Sequence, residues 1–348
     1  MTRKVLRIGI CMLHAFLLWQ LTPAQATISP QNMADINVNT TGPVSFPLRI
    51  ITHNTRYATS SPFKGEKPWP DRRPLIISEL LHQTRFLDGQ AAPAGSFICL
   101  QEVLHQQLQD ILSGLNDSSD SEWQHIGIGR EDGMQKGEYS PILYPTRIFK
   151  LLNFKNIWLS PTPDKPSKGW DAGSERILTI GVFENRHTGQ RFMAANTHLD
   201  NEGSVAREKS VDLILETLED VRREWAQVPY FLAGDFNSFP TQEAYKAMIA
   251  SGQVADVYSL VPEALHFGDE NTFTGFQPDT DEDKDGIGRI DFVWLGPKSA
   301  IAGEPGNREP GNRESCWIAK GYSVIPNVFD AGVFASDHRA VVADVVMR

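Results

Sequence analysis

The 348-residue chain carries 43 acidic and 33 basic side chains, a formal net charge of −10. A surface of that sign repels polyanions at long range, which argues against tight non-specific binding of nucleic acid. Three cysteines are too few for a disulfide scaffold in a chain of this length, and beyond residue 26 no apolar run is long enough for stable membrane insertion.

Residues 1–26 read as a secretory signal peptide. Arg3, Lys4 and Arg7 precede an apolar stretch from Ile8 to Leu21 that is too short for a membrane anchor, and Ala24-Gln25-Ala26 follows as a cleavage site. Cleavage would leave 27–348 as one domain, since no linker or composition shift divides it; the secreted product is more acidic still and is expected to be a monomer. Cys11 leaves with the leader. Cys99, inside Phe97-Ile98-Cys99-Leu100, then reads as a buried small apolar residue or as half of a bridge to Cys316.

Leu48–Asn54 reads as a strand ending on Asn54, and Tyr57–Pro74, rich in Ser, Pro, Lys and Gly, as a long loop before a helix from Leu75 to Leu87. Ser96–Gln101 is an apolar strand that delivers Glu102; Leu104, Leu108, Ile111, Leu112 and Leu115 then recur at helical spacing. Short strands are expected at His125–Gly129, Pro141–Tyr144 and Ile148–Leu152, with a charged, glycine-rich loop over Arg130–Tyr139. After a loop at Ser160–Ser174, Ile177–Phe183 and Phe192–Asn196 pair as a hairpin whose second strand runs into His198. Val211, Ile214, Leu215, Leu218, Val221 and Trp225 mark a long amphipathic helix. Tyr230–Gly234 is a buried strand that breaks into Asp235-Phe236-Asn237-Ser238, and a helix over Thr241–Ser251 closes at Gly252. Asp291 sits inside the strand Arg289–Leu295, a strand at Cys316–Ile325 follows, and Ser336-Asp337-His338 leads into the last strand, Ala340–Val346.

One pattern recurs: strand boundaries carry Asn54, Glu102, His198, Asp235 with Asn237, and Asp337 with His338. Layered α/β proteins build their sites at strand ends. Each residue also has an ordinary explanation. Glu102 can open the next helix on its dipole, Asp235 and Asn237 can form a turn, and Asp337-His338 can cap one. Asp291, an acid among strand apolars, needs a partner. His338 is the candidate, because a carboxylate fixes an imidazole's tautomer and raises its basicity. Oxygen ligands with histidine in the minority suit Mg²⁺ or Mn²⁺, with Ca²⁺ an alternative. No His-x-x-x-His or Cys-x-x-Cys pair offers a closed zinc site, and no P-loop or Gly-x-Ser-x-Gly elbow is present. Asp281-x-Asp283-x-Asp285-Gly286 matches the first half of a calcium loop, but Phe292 stands where the bidentate Glu belongs; a structural Ca²⁺ site and a solvated acidic loop are both open.

Six ordered motifs carry a resemblance: Thr52-His53-Asn54, Leu100-Gln101-Glu102-Val103, Asn196-Thr197-His198-Leu199-Asp200, Gly234-Asp235-Phe236-Asn237-Ser238, Arg289-Ile290-Asp291-Phe292 and Ser336-Asp337-His338. Together the chain resembles the endonuclease/exonuclease/phosphatase, or DNase I-like, superfamily. The resemblance implies a four-layer α/β-sandwich, two packed mixed β-sheets flanked by helices. It also implies a metal-dependent phosphoesterase, with Glu102 the principal Mg²⁺ ligand and Asn54 and Asp337 near the metal. Asp235 would orient or deprotonate the attacking water, and Asn237 would hold the scissile phosphate or the metal. His338, paired with Asp291, would stabilise the phosphate, to which His198 would donate. The segments Lys136–Pro141 and Lys168–Asp171 resemble a secreted or bacterial branch outside the well-studied nucleases. Arg56, Glu138, Trp170, Arg176 and Arg207 are the candidates for substrate contact, each with an ordinary surface or loop role as its alternative. The expected substrate is a phosphodiester or phosphomonoester, a small molecule or a nucleic acid end. A nuclease and a non-catalytic binding module of the same fold are the alternatives.

Overall fold

The strands β1 (Phe46–Asn54) and β2 (Gly95–Gln101) are buried almost throughout, as expected of strands covered on both faces. They pair in parallel, with Asn54 beside Gln101. These observations come from a computed structural model that describes residues 45–85, 95–117, 122–276, 286–303 and 317–348. The expected leader, the acidic stretch with Asp281, Asp283 and Asp285, and Cys316 lie outside the described residues.

The remaining elements are α1 (Trp69–Arg85), α2 (His105–Leu115), β3 (Trp123–Ile126), β4 (Ile142–Pro145), β5 (Phe149–Trp158), β6 (Ile177–Asn185) and β7 (Arg191–His198). Then come α3 (Ser204–Glu224), β8 (Tyr230–Asp235), α4 (Glu243–Ala250), β9 (Ala255–Asp256), β10 (His266–Gly268), β11 (Asp291–Gly296) and β12 (Trp317–Val324). A short ladder, β13 (Val328–Phe329) with β14 (Val333–Phe334), precedes β15 (Val341–Met347). One mixed sheet runs β10-β12-β15-β1-β2-β4-β3 and a second β5-β6-β7-β8-β11-β9.

Alternation along the strands builds the layers. Phe97 and Cys99 of β2 join Phe183, Phe192 and Phe231 of the other sheet in the core between the sheets. Ile98 and Leu100 face the other way, packing with Ile76 and Leu80 of α1 and Leu108 and Ile111 of α2. On the far side, Leu232 and Trp294 pack with Ile214 and Leu218 of α3 and Met248 of α4. The result is the expected four-layer α/β-sandwich of two packed mixed sheets flanked by helices. Cys99 is a free, fully buried thiol. No helix among the described residues is long and apolar enough to cross a membrane.

Strand β3 lies two to three residues before the expected His125–Gly129, the short strands β9, β10, β13 and β14 have no counterpart in the sequence expectations, and α1 and β5 depart furthest in length. Helix α1 begins at Trp69, six residues before Leu75. Three prolines suggest a loop there, yet Pro70 falls in the first helical turn, where proline is tolerated, and the helix continues through Pro74 inside it. Trp69 anchors the turn by donating from Nε1 to Asp110 Oδ2 at 2.8 Å. Strand β5 runs on to Trp158, well past Leu152, through Asn153, Phe154 and Lys155, exposed at the sheet's edge.

Candidate active site

Strand register gathers the polar strand boundaries at one end of the sandwich. Parallel pairing sets His198 of β7 beside Asp235 of β8, and antiparallel pairing sets Asp291 of β11 opposite the same Asp235. In the other sheet β15 runs antiparallel to β1, with Val341 opposite Thr52, and the segment before it lies against the end of β1: Ser336 Oγ donates to Asn54 O at 2.6 Å and His53 Nε2 is 3.3 Å from His338 O. Gly234 allows the approach of β7 and β8: it has φ +155°, and a Cβ there would lie 2.2 Å from the Thr197 carbonyl oxygen. Glu102, Asn237 and Arg56 are non-glycine residues at positive φ. Strained backbone of this kind clusters at working sites.

Two groups of acids result. In the first, Asp235, Asp291 and His338 are buried, with candidate ligand atoms all within 4.8 Å of one another. His338 Nδ1 is 2.9 Å from Asp291 Oδ2, and its Nε2 is 3.7 Å from Asp235 Oδ2. Thr272 Oγ1 donates to the same Asp291 oxygen at 2.6 Å and accepts from the Ile290 and Asp291 amides. Burial would lower the pKa of His338, but Asp291 and Asp235 outweigh it and raise it to about 10. Burial and the charge of Asp291 push Asp235 up to about 7, against His338 and the hydrogen bonds from Asn54 and the Asn237 amide. A protonated imidazole offers only donors, so this group is suited to handling protons.

The second group is Glu102 and Asp337, with Asn54 between the two groups. Asn54 Nδ2 donates to Glu102 Oε1 at 3.1 Å and to Asp235 Oδ2 at 3.0 Å, and its Oδ1 accepts from the Arg56 amide at 2.9 Å. Asp337 is raised by burial; His338 opposes the shift, Glu102 adds to it, and Arg56 opposes it again. Asp337, whose charge is disfavoured by burial and by the nearby Glu102, forms with Glu102 an oxygen donor set that fits a hard divalent cation. The amide of Asn237 donates to Leu199 O and to His198 Nε2, both at 3.0 Å. Its remaining polar atom, Oδ1, is an acceptor, which suits a cation or a water and not a phosphate oxygen.

His198 differs from the expectation. Burial lowers its pKa well below the usual value, and Arg176, Arg130 and His338 add to this, so it is neutral. With Nε2 accepting from Asn237, its N–H is Nδ1, which lies 3.8 Å from Glu138 Oε2. That N–H faces Glu138 at a distance too long for a hydrogen bond.

Both groups open into a cavity of about 620 Å³, lined as well by Arg56, Arg130, Glu138, Arg176 and Arg207. Arg130 pairs with Glu138 through Nη2–Oε1 at 2.9 Å and Nη1–Oε2 at 2.8 Å. Arg176 Nε meets Asp200 Oδ2 at 3.2 Å, and Arg207 Nε meets Glu243 Oε1 at 2.5 Å. Glu138 is pushed up to about 7 by burial and by Glu102, with Arg130 opposing. Trp170, a substrate-contact candidate, does not line the cavity and is 42% exposed. The turn it belongs to serves α3 instead. Asp171 accepts from the Val205 and Ala206 amides and so caps that helix, whose own N-cap residue Gly203 has no side chain to do it.

Sequence reasoning missed Arg130, Thr272 and the aromatic Phe63 and Phe273 of the cavity wall. Arg130 had a signal, lying eight residues before Glu138 in one charged loop. Thr272 had none, since its partner is 19 residues away in sequence.

The fold and this site define a phosphoester hydrolase of a known kind. Residues 51–338 match the Endonuclease/Exonuclease/phosphatase family, and the chain belongs to that family. Among solved structures it is similar to a protein of the same family from Bacteroides thetaiotaomicron, 28% identical with a TM-score of 0.71, covering 87% of this chain and 98% of that one. A mannosyl-6-phosphatase from the same organism is 29% identical with a TM-score of 0.69, covering 86% of this chain and 99% of that one. The CCR4-Not complex 3′-5′-exoribonuclease subunit of Aspergillus niger is 24% identical, covering 86% of this chain and 52% of that protein. The chain thus spans about half the length of that curated relative. None of these relatives is described as secreted, so the narrower likeness to a secreted branch finds no support in them.

Proposed function

We propose that this chain hydrolyses the phosphomonoester of a small hydroxylated alcohol, a sugar phosphate, by in-line attack of a water, with Mg²⁺ or Mn²⁺ as the working ion. The observation that carries the reading is the cavity of about 620 Å³, a size suited to one small ligand, in a chain whose net charge is −10. The likeness to the mannosyl-6-phosphatase over 99% of its length supports it.

Glu102 and Asp337, with the Oδ1 of Asn237 available, would hold the cation. Bound there, a divalent ion offsets phosphate charge and polarises the phosphorus–oxygen bonds. Asp235 accepts the proton of the attacking water, a role suited to a carboxylate raised toward neutrality. His338, held as imidazolium by Asp291, offers Nε2–H to a phosphoryl oxygen as charge builds there. Asn54 links Glu102 and Asp235 by donating from one amide nitrogen to both.

The likeness to the exoribonuclease subunit favours a second reading, hydrolysis at a nucleic acid end. Incubating the protein and Mg²⁺ with mannose 6-phosphate, bis(p-nitrophenyl) phosphate and a single-stranded oligoribonucleotide separates the two. Phosphate release from the sugar ester is expected to dominate; preferential shortening of the oligonucleotide would overturn the first reading. We also propose that residues 1–26 direct export, which N-terminal sequencing of the protein recovered outside the cell tests: a mature protein beginning at Met1 would refute it.

A further inference from the structure

The wall facing the acid groups contains four arginines among the described residues, Arg56, Arg130, Arg176 and Arg207. Arginines in a phosphoesterase cavity suggest a receptor for a second anion. Their partners argue otherwise, because each is already opposed by a carboxylate: Arg56 by Glu66 and Glu102, Arg130 by Glu138, Arg176 by Asp200, Arg207 by Glu243. A second phosphate on the substrate would meet ion pairs, not free cations, and would be desolvated without a matching charge.

Ion pairs of this kind suit a neutral, multiply hydroxylated group, since they present fixed donors and acceptors without net charge. Glu138 is the best placed of them. Its Oε1 accepts from Arg130 Nη2 at 2.9 Å, whereas Oε2, though 2.8 Å from Arg130 Nη1, makes no hydrogen bond and keeps its acceptor capacity. The two side chains retain 14% and 13% exposure where they line the cavity. Their position is fixed from three sides. Arg130 N donates to Glu138 O, Trp158 Nε1 donates to Arg130 O, and Tyr139 N donates to Val103 O, one residue beyond Glu102. Glu138 also lies one imidazole ring from Asp235, through His198. It is therefore close to the atoms next to the scissile bond, yet its charge is taken by Arg130, which distinguishes it from the cation ligand Glu102.

We infer that the Arg130–Glu138 pair is the specificity element for the leaving group, accepting hydroxyl hydrogen bonds from a neutral polyol and disfavouring a leaving group with a second anion. This rests on the sugar-phosphate reading above and adds to it which residues recognise the sugar. The test compares kcat/KM for mannose 6-phosphate, p-nitrophenyl phosphate and fructose 1,6-bisphosphate in the wild type, Glu138→Gln and Arg130→Met, with thermal melts to confirm folding. A site built to bond a hydroxyl discriminates strongly against a ligand lacking it, so both variants are expected to lower the ratio of mannose 6-phosphate to p-nitrophenyl phosphate turnover by about tenfold or more. The wild type is expected to prefer the monophosphate to the bisphosphate. Equal losses on both monoesters, or wild-type preference for the bisphosphate, would overturn the inference while leaving the sugar-phosphate reading standing. A wild type that releases no phosphate from mannose 6-phosphate would overturn both.

Discussion

Two buried histidines line the same cavity, and their surroundings drive them to opposite states. His338 faces Asp291 and Asp235 and is held charged, whereas His198 faces Arg176, Arg130 and His338 and is held neutral. Burial disfavours the charged form of both, so the neighbouring charges decide. The lesson is a division of labour. In the mechanism we propose, the His338 side meets developing negative charge, while the His198 side stays uncharged between Asn237 and Glu138. Pairs of groups whose environments push their pKa values apart are how acid and base roles separate at one pH.

The comparison can be broken most severely at the acid that both histidines approach. Asp235→Ala is expected to lower kcat/KM by about 10³-fold or more, since a positioned base contributes roughly 10²–10⁴; steady-state phosphate release measures it. Replacing the histidines one at a time sharpens the contrast. His338→Gln should cost about 10²-fold in kcat, because a donor aimed at transition-state charge is lost, and His198→Gln should cost nearer tenfold. Equal losses would contradict the division.

Asp291→Asn tests the cause of the charge. His338 has its folded-state pKa raised to about 10, so its charged form is lost as pH rises through that value. Without the Asp291 charge the folded pKa falls, and the alkaline limb of the kcat profile should move to lower pH. An unmoved limb would show that Asp291 does not hold the proton.

A smaller effect is expected at Asp200, which anchors the neutral side. Burial opposes its charge, but the Gly203 and Gly173 amides, Arg176 and the Glu202 amide lower its pKa to about 2. A depressed folded-state pKa gives stability that is present above the unfolded value and lost as pH falls through about 2. Asp200→Asn should therefore cost about 2 kcal/mol at pH 7, and less as pH falls between roughly 4 and 2. Denaturant melts of both proteins across that range measure it.

Much of the first side was legible in the sequence because strands impose it. An apolar run that stops at Asn54, Gln101 or Asp235 fixes where its polar neighbour emerges, and the registers then bring those ends together. The four layers were legible for the same reason, through alternation and helical spacing. The loop side was not. Arg176, Arg207 and Glu138 could be named as candidates, but their ion-pair partners depend on tertiary approach. Trp170 does not line the cavity, and its neighbour Asp171 caps α3 from 34 and 35 residues away in sequence, which no spacing reveals. The orientation of Asn237, which decides what His198 can donate to, is set by a carbonyl that no spacing identifies.

The most direct test of a cation held by Glu102 and Asp337 is a Mg²⁺ titration of phosphate release from mannose 6-phosphate, using chelator-treated wild type and Glu102→Gln. No release is expected before metal is added, with recovery by the wild type and little or none by the variant at any Mg²⁺ concentration. Full turnover by the chelated wild type, or a wild-type Mg²⁺ response from Glu102→Gln, would contradict it.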